Sequence, residues 1–315
     1  MAENIRFTDH LVSFALPIFD LIEFSSVVSN WYEIPLIRLG LKKNTVLRIK
    51  NGKQFEIKNS NDYMNFYRSF EFQKQVWERK GYPPMEVVGK YLNLKYHDRT
   101  LHFLYSPNDK NDILLPLLNQ FLMGEYSFLK VKGKIVVDIG ASIGDTAVYF
   151  AVNGAKHVYS FEPFRHPYAI AKQNITANNL SSKITLLNEG AGYSGSVKMN
   201  SDAINIIDAR IKATKNGTKI KMNSLEGIVK KYNLKDALLK VDCEGYEYDL
   251  ILLAKPNTLK KFNQIVIEYH HGYINLEEKL KQSGFKVWHT PPKFMRNPHG
   301  SDAARLVGLI YAERN

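Results

Sequence analysis

The chain has 315 residues, enough for one large domain or two modest ones, and its 44% hydrophobic and 23% charged residues are ordinary for a globular protein. One cysteine, Cys243, excludes an intramolecular disulfide and a cysteine-based metal cluster, and no stretch approaches the roughly 18–20 apolar residues of a membrane span. The 43 Lys and Arg against 31 Asp and Glu, a formal charge of +12, suit an anionic partner such as nucleic acid, a phosphorylated glycan or an acidic lipid surface, and equally a lysine-rich solvated face.

The opening run MAENIRFTDHLVSFALPIFDLIEF lacks a cationic start, and Asp20 and Glu23 interrupt its apolar residues. It does not read as a signal peptide, and the expectation is a soluble cytoplasmic protein. Residues 45–58 hold two alternating runs around Asn51-Gly52, a strong hairpin signal. NSNDYMNFYRSFEFQKQVWERKGYPP reads as one helix closed by Gly81 and Pro83. Residues 91–105 suggest a second hairpin turning near Asp98. Residues 1–118 are therefore expected to form an α+β region with β-hairpins and no catalytic motif.

From residue 119 to 315 the pattern becomes alternating strands and helices. Seven apolar runs, KIVVDIG, HVYSFEP, KITLLNE, ALLKVDCEG, NQIVIEYH, FKVWHT and RLVGLIYAE, predict a doubly wound α/β domain around a seven-stranded, mostly parallel sheet. The last two runs lack a long helix between them and are expected to pair antiparallel at one edge. In INLEEKLKQSGF, Asn275 is the expected N-cap, Glu278 its capping-box partner and Gly284 the stop. The lysine-rich DARIKATKNGTKIK is the one mildly biased piece.

The first parallel strand runs into VVDIGASIGDT, where Gly140 and Gly144 flank three residues and a helix starts near Asp145. Glycines permit positive φ and close ligand approach. No Lys follows Gly144, as a triphosphate loop would need, and position 142 is Ser where a dinucleotide loop wants Gly. A carboxylate at Asp145 would also repel a diphosphate at the helix N-terminus. S-adenosylmethionine carries no phosphate and wants an acid for its ribose hydroxyls. Glu162 closes the second strand 22 residues after Gly140, close to the spacing of a ribose-binding acid.

The fourth strand ends in LLKVDCEGYE, where Lys240, Asp242 and Glu244 share one face while the chain stays extended, with Val241 and Cys243 opposite. Asp242 could position an acceptor hydroxyl or take its proton. Glu244 could do the same or ligate a divalent cation with Asp242, and Lys240 could offset their repulsion or stabilise an alkoxide. An internal network that rigidifies the sheet is the competing reading. Strand five ends in IEYHH, where Glu268 and His270 reach the same cleft. His270 stays open between a base, an acceptor-binding residue and a structural one; His271 points to the surface. Glu247 lies in the following helix and is a weaker candidate. Cys243 reads as a buried thiol, because a methyl-transferring nucleophile usually follows Pro. Thr290-Pro-Pro-Lys-Phe294 departs from the (D/N/S)-P-P-aromatic motif of amino-group methyltransferases and reads as a loop.

VVDIGASIGDTAVYFA, VYSFEPFRHPYAIAKQNITANN, LLKVDCEGYEYDLI and IVIEYHH together resemble the FkbM family of S-adenosylmethionine-dependent methyltransferases, over about residues 120–315. The resemblance implies a class I, Rossmann-like domain that methylates hydroxyl oxygens, often on sugars or polyketide-type products. Asp138, Gly140, Ala141, Gly144 and Glu162 match its cofactor-binding positions, whereas NEGAGYSG offers Glu189 but no clear acid for the adenine amino group. The expected partner is a hydroxyl-bearing small molecule or glycan. Alternatives are an RNA methyltransferase, given nine Lys or Arg against three acids over residues 208–240, and a non-catalytic binding module on the same fold. Divalent-metal dependence stays open.

Overall fold

The computed structural model describes residues 24–38, 41–42, 44–67, 69–79, 85–106, 110–199, 217–295 and 305–314. They fall into two compact units that part between Leu118 and Asn119, the strand at 305–313 belonging to the second.

The first unit holds helix α1 (Glu33–Arg38) and the antiparallel pair β1 (Thr45–Arg48) and β2 (Gln54–Ile57). Gly52 supplies the positive φ (+94°) that the connecting turn needs, and Asn51 Oδ1 accepts the Lys53 N–H at 3.0 Å. The single helix expected next is two, α2 (Ser60–Tyr67) and α3 (Phe70–Arg79). The Ser69 hydroxyl accepts the Phe72 N–H at 3.3 Å and so caps a new helix inside the run. The break brings Phe72 within 5.2 Å of Phe24 and 5.3 Å of Phe66, ring to ring, in the core of this unit. The expected stop at Gly81 and Pro83 lies outside the described residues. Three strands, β3 (Met85–Val88), β4 (Tyr91–Tyr96) and β5 (Arg99–Leu104), form an antiparallel meander before α4 (Lys110–Leu117). The turn at His97-Asp98 is where the sequence places it, with His97 at φ +53°, while β3 was not expected.

The second unit is built on β6 (Ile135–Ile139), β7 (His157–Phe161), β8 (Ile184–Leu187), β12 (Ala237–Val241), β13 (Phe262–Tyr269), β14 (Lys286–His289) and β16 (Arg305–Glu313). Their order across the sheet is β14-β16-β13-β12-β6-β7-β8, parallel except for β16. Val136, Val137, Leu238, Leu239, Val241, Ile265, Val266 and Ile267 are buried. Both sheet faces are thus covered, which is why these strands read as continuous apolar runs rather than alternating ones. Each such side chain contributes about 1.5–3 kcal/mol on burial. The covering helices include α5 (Asp145–Val152), α6 (Arg165–Ala177), α7 (Leu225–Lys231), α8 (Glu247–Leu252), α9 (Pro256–Leu259) and α10 (Ile274–Gln282). β16 pairs antiparallel as expected, but it inserts between β13 and β14, so β14 forms the edge.

Three local expectations are corrected. The N-cap of α10 is Tyr273, so Asn275 lies within the first turn, although Gly284 does close the helix with φ +89°. Lys293 and Phe294 belong to a short strand, β15 (Lys293–Met295), paired with β16, so only Thr290–Pro292 are loop. The lysine-rich piece ends in a strand: β11 (Thr218–Ser224) joins β9 (Gly190–Gly192) and β10 (Gly195–Met199) in a small second sheet. Lys219 and Lys221 alternate outward on β11 while Ile220 and Met222 are buried.

Candidate active site

The chain steps from β6 outward to β7 and β8, then returns to β12 on the other side of β6. That reversal leaves a crevice at the carboxyl ends of β6 and β12. The turn after β6 fills one wall. Gly140 and Gly144 have φ of +79° and +80°, and Gly144 is the N-cap of α5. A Cβ on Gly140 would lie 1.6 Å from the Asp242 carbonyl oxygen, so the turn packs directly on the loop after β12. Ser142, also at positive φ (+47°), has a buried Oγ with no hydrogen-bond partner among the described residues.

Two of the expected cofactor-binding acids sit differently around this turn. Glu162 lies at its rim, where its Oε2 accepts the Ser142 N–H and its Oε1 the Phe164 N–H, both at 2.9 Å. Burial pushes its carboxyl up to about 8. Asp138 is fully buried beneath the turn; its Oδ2 accepts the hydroxyls of Thr146 (2.9 Å) and Ser160 (3.1 Å). Its Oδ1 faces Lys240 Nζ at 3.3 Å, in the register that pairs Lys240 with Asp138 on adjacent strands. Ala141 is buried within the turn.

Lys240 is 1% exposed, near the end of β12. Its ammonium donates to the carbonyls of Gly140 (2.6 Å) and Ile139 (3.3 Å) and lies 5.4 Å above the Tyr126 ring. Burial works against the charge, but Asp138, Asp242 and Asp145 outweigh it and hold the ammonium above its ordinary range.

Strand β12 ends at Val241, so Lys240, Asp242 and Glu244 do not continue along one extended face as expected. The chain turns at Glu244 (φ +55°) and Gly245 (φ +115°), and the turn carries both carboxylates to the ring of His270. Nε2 of His270 faces Glu244 Oε2 at 3.6 Å and Asp242 Oδ1 at 4.0 Å. On the other side Nδ1 sits 3.1 Å from Glu247 Oε1, a carboxylate with no exposure, whose Oε2 accepts the Gly245 N–H at 2.7 Å. Burial opposes a charged ring, but Glu247 and Glu244 prevail and push His270 up to about 10. An imidazolium donates rather than accepts, so in this state the ring is no base near neutral pH. Glu268 brings a carboxylate oxygen to the same place: one atom each from Asp242, Glu268 and His270 lie within 4.8 Å of one another. Burial first, then Asp242, holds the Glu268 carboxyl well above the usual range. His271 is exposed, as expected. Cys243 is half-buried, its thiol pushed up by burial and poorly suited to attack as thiolate.

Two members of the site carry no motif. Tyr126 is buried and donates from its hydroxyl to Asp242 Oδ2 at 3.3 Å. Glu125 beside it is pushed up to about 7 by burial and then by Asp242. Both come from the segment that leads into β6, where only the turn glycine Gly124 (φ +63°) marks the sequence. Glu247, a weaker candidate by its place in a helix, orients His270 through Nδ1. Glu189, considered for the adenine, is held by Lys221 at 2.8 Å and Asn223 at 3.0 Å on the small sheet. Residues 208–216 of the cationic stretch lie outside the described residues, and its last member, Lys240, is internal. Among the described residues no helix is long and apolar enough to cross a membrane.

Residues 138–287 match the family model of the methyltransferase FkbM domain. Protein arginine N-methyltransferase 1 of Oryza sativa subsp. indica is 34% identical over 92 residues, 29% of this chain and 23% of that protein. Ribosomal protein L11 methyltransferase of Carboxydothermus hydrogenoformans is 32% identical over 80 residues, 25% of this chain and 26% of that protein. The chain thus spans about a quarter of the length of these curated relatives. Among solved structures, M. capricolum TrmK with S-adenosyl-homocysteine overlays with a TM-score of 0.39 at 13% identity, covering 62% of this chain and 68% of TrmK. A ribosomal protein L11 methylase from Lactobacillus delbrueckii subsp. bulgaricus gives 0.35 at 19% identity, covering 61% and 77%.

Proposed function

Residues 138–287 form a methyltransferase FkbM domain, of the S-adenosylmethionine-dependent class, and from that premise we propose that the chain methylates a hydroxyl oxygen on a sugar or other small-molecule or glycan acceptor. The observation that carries this reading is the placement of Asp242. Its carboxylate is part-exposed at the crevice, on the loop against which Gly140 packs, and Tyr126 and Lys240 hold its Oδ2 side.

When bound, S-adenosylmethionine supplies a sulfonium-activated methyl group and a thioether leaving group. The residues present suit it. The Gly140–Gly144 turn admits a ligand against its backbone, the buried Ser142 Oγ is free to bond one, and Glu162 offers a carboxylate for two ribose hydroxyls. The part-exposed carboxylates of Asp242 and Glu244 favour a cationic cofactor over a phosphate-bearing one. Asp242 is placed to accept the acceptor hydroxyl's hydrogen bond and would take its proton as the methyl group is transferred and the thioether leaves. Lys240 and Tyr126 fix the carboxylate for that task, and His270, charged and anchored by Glu247, steadies its other oxygen.

The curated relatives are named for acting on protein arginine and on a ribosomal protein, two different acceptors, so the acceptor class rests on the site itself. The RNA reading loses support because its cationic stretch is not one stripe: Lys240 is internal and Lys221 is paired with Glu189. A non-catalytic module would not need the carboxylates gathered at His270. The unit ending at Leu118 is assigned a substrate-binding or assembly role. The deciding experiment is methyl transfer from labelled S-adenosylmethionine to cell fractions separated into glycan, lipid, small-molecule and RNA pools. Label in the glycan or small-molecule pool is expected, and label confined to RNA would overturn the hydroxyl-acceptor reading.

A further inference from the structure

We propose that Asp242, Glu268 and His270 bind a divalent cation that accepts mixed nitrogen and oxygen ligands, with Mn2+ as the ion of choice for a probe. The proposal deepens the function above and rests on it only for what the ion does, not for whether it binds. Three features of the cluster point to an ion.

The first is spacing. One ligand atom from each of the three residues lies within 4.8 Å of the others, and Asp242 Oδ1 stands 4.0 Å from His270 Nε2. That is too long for a hydrogen bond. Ligands about 2.0–2.2 Å from a shared ion stand about 3–4.2 Å apart, so a slight closure of the three places one ion between them. Glu244 Oε2 stands 3.6 Å from the same nitrogen.

The second is the support behind the ring. His270 is 3% exposed, and Nε2 makes no hydrogen bond among the described residues, while Nδ1 is fixed by Glu247 Oε1 at 3.1 Å. Glu247 also accepts the His270 backbone N–H at 3.1 Å and is itself fixed by the Gly245 N–H. A carboxylate on one ring nitrogen is the arrangement that orients a metal-ligating imidazole and raises its basicity. Asp242 is prepared in the same way: Tyr126 holds Oδ2, and Oδ1 is left toward the ring.

The third is charge. Asp242, Glu244 and Glu268 converge with Lys240 standing 3.9 Å from Asp242 on the far oxygen. A divalent cation replaces the proton on Nε2, which passes to solvent, and offsets the remaining carboxylates. His with carboxylates suits Mn2+, Zn2+ or Fe2+ better than the all-oxygen sets of Ca2+. Placed beside the crevice, the ion would act as a Lewis acid toward an acceptor hydroxyl.

The test is Mn2+ titration of the full, EDTA-stripped chain, followed by electron paramagnetic resonance, with Zn2+ as a competitor. One Mn2+ per chain with nitrogen coupling is expected, with affinity falling at least tenfold in Glu268→Gln and the coupling lost in His270→Gln. Far-ultraviolet circular dichroism and melting of each variant show that it is folded; should His270→Gln not fold, Glu268→Gln alone decides. No saturable binding of Mn2+ or Zn2+, or binding unchanged in Glu268→Gln, overturns the site. Specific Mn2+ binding without methyl transfer to any pool leaves the site standing and removes the function. Full turnover in EDTA with no ion bound keeps the function and overturns the ion's part in it, while the Mn2+ titration alone decides the site.

Discussion

The Lys240 ammonium donates to the Gly140 carbonyl oxygen at 2.6 Å, from a position inside the sheet. One lysine therefore ties the turn after β6 to the neighbouring strand, and its charge is matched by Asp138 at 3.3 Å, whose other oxygen is used by Thr146 and Ser160. The sequence offers Lys240 for stabilising an alkoxide or for an internal network, and this placement favours the network. Lys240→Met leaves the Asp138 carboxylate buried and unpaired, and should cost about 3–5 kcal/mol in urea unfolding. Adding Asp138→Asn removes the orphaned charge and should restore a large part of that loss. A Lys240→Met protein within 1 kcal/mol of the parent would count against the pairing.

Gly140 is expected to resist even alanine. Its φ of +79° strains any L side chain, and the new Cβ would fall 1.6 Å from a backbone oxygen that cannot rotate away. Gly140→Ala should destabilise by about 2–4 kcal/mol and abolish thermal stabilisation by S-adenosylhomocysteine. Gly144→Ala meets Ala171 Cβ at 3.1 Å, a milder clash, and should retain part of that stabilisation.

The parallel sheet and the turn were legible because their signals are local: continuous apolar runs, glycines at fixed spacing and a strand-terminal acid. Tyr126 and Glu125 were not, since only the folded topology brings a segment before β6 against a loop after β12, more than a hundred residues on. The meeting of Asp242, Glu244 and His270 was anticipated from alternation, but the chain achieves it through a positive-φ turn at Glu244. The small sheet is masked in the sequence although TKIKMNS alternates in and out, because its lysines read as a charge run and its partner strand holds Gly190 and Gly192. Ser69 was a cap hidden inside a helical pattern that periodicity alone could not divide.

Glu247 should set the state of His270. Its carboxylate is the main influence raising the ring to about 10, against burial. A ring raised above its unfolded value stabilises the fold below about pH 6.5, and that contribution fades as pH climbs through about 10. In metal-free Glu247→Gln the ring should titrate at lower pH by nitrogen-detected nuclear magnetic resonance, and the loss of stability should move to lower pH with it. An unmoved titration midpoint would show that Glu247 does not govern the ring.

Asp145 gives the opposite slope. Burial, with Asp138 adding repulsion and Lys240 opposing, pushes its carboxyl from 3.8 up to about 7. Between those values the folded chain holds a proton that the unfolded chain has released, so stability falls as pH rises and the penalty is complete above about pH 7. Asparagine carries no charge to bury. Asp145→Asn should therefore melt higher than the parent at pH 8, by an amount on the order of 2–4 kcal/mol, with the gap closing toward pH 5. A gap that is the same at both pH values would mean that the carboxylate is ionised throughout.

Asp242 separates binding from chemistry. Its Oδ2 accepts from Tyr126, a bond that asparagine can keep through its own oxygen, and no hydrogen bond from Asp242 reaches the turn through its side chain. Asp242→Asn should thus fold and retain its thermal shift with S-adenosylhomocysteine. Asparagine cannot take a proton from an acceptor hydroxyl, and general-base assistance contributes about 10²–10⁴-fold. With the acceptor that the labelling screen identifies, kcat should fall within that range while KM for the cofactor changes little. A fall in cofactor affinity with kcat preserved would instead place Asp242 in the cofactor seat, and unchanged turnover would take it out of the chemistry.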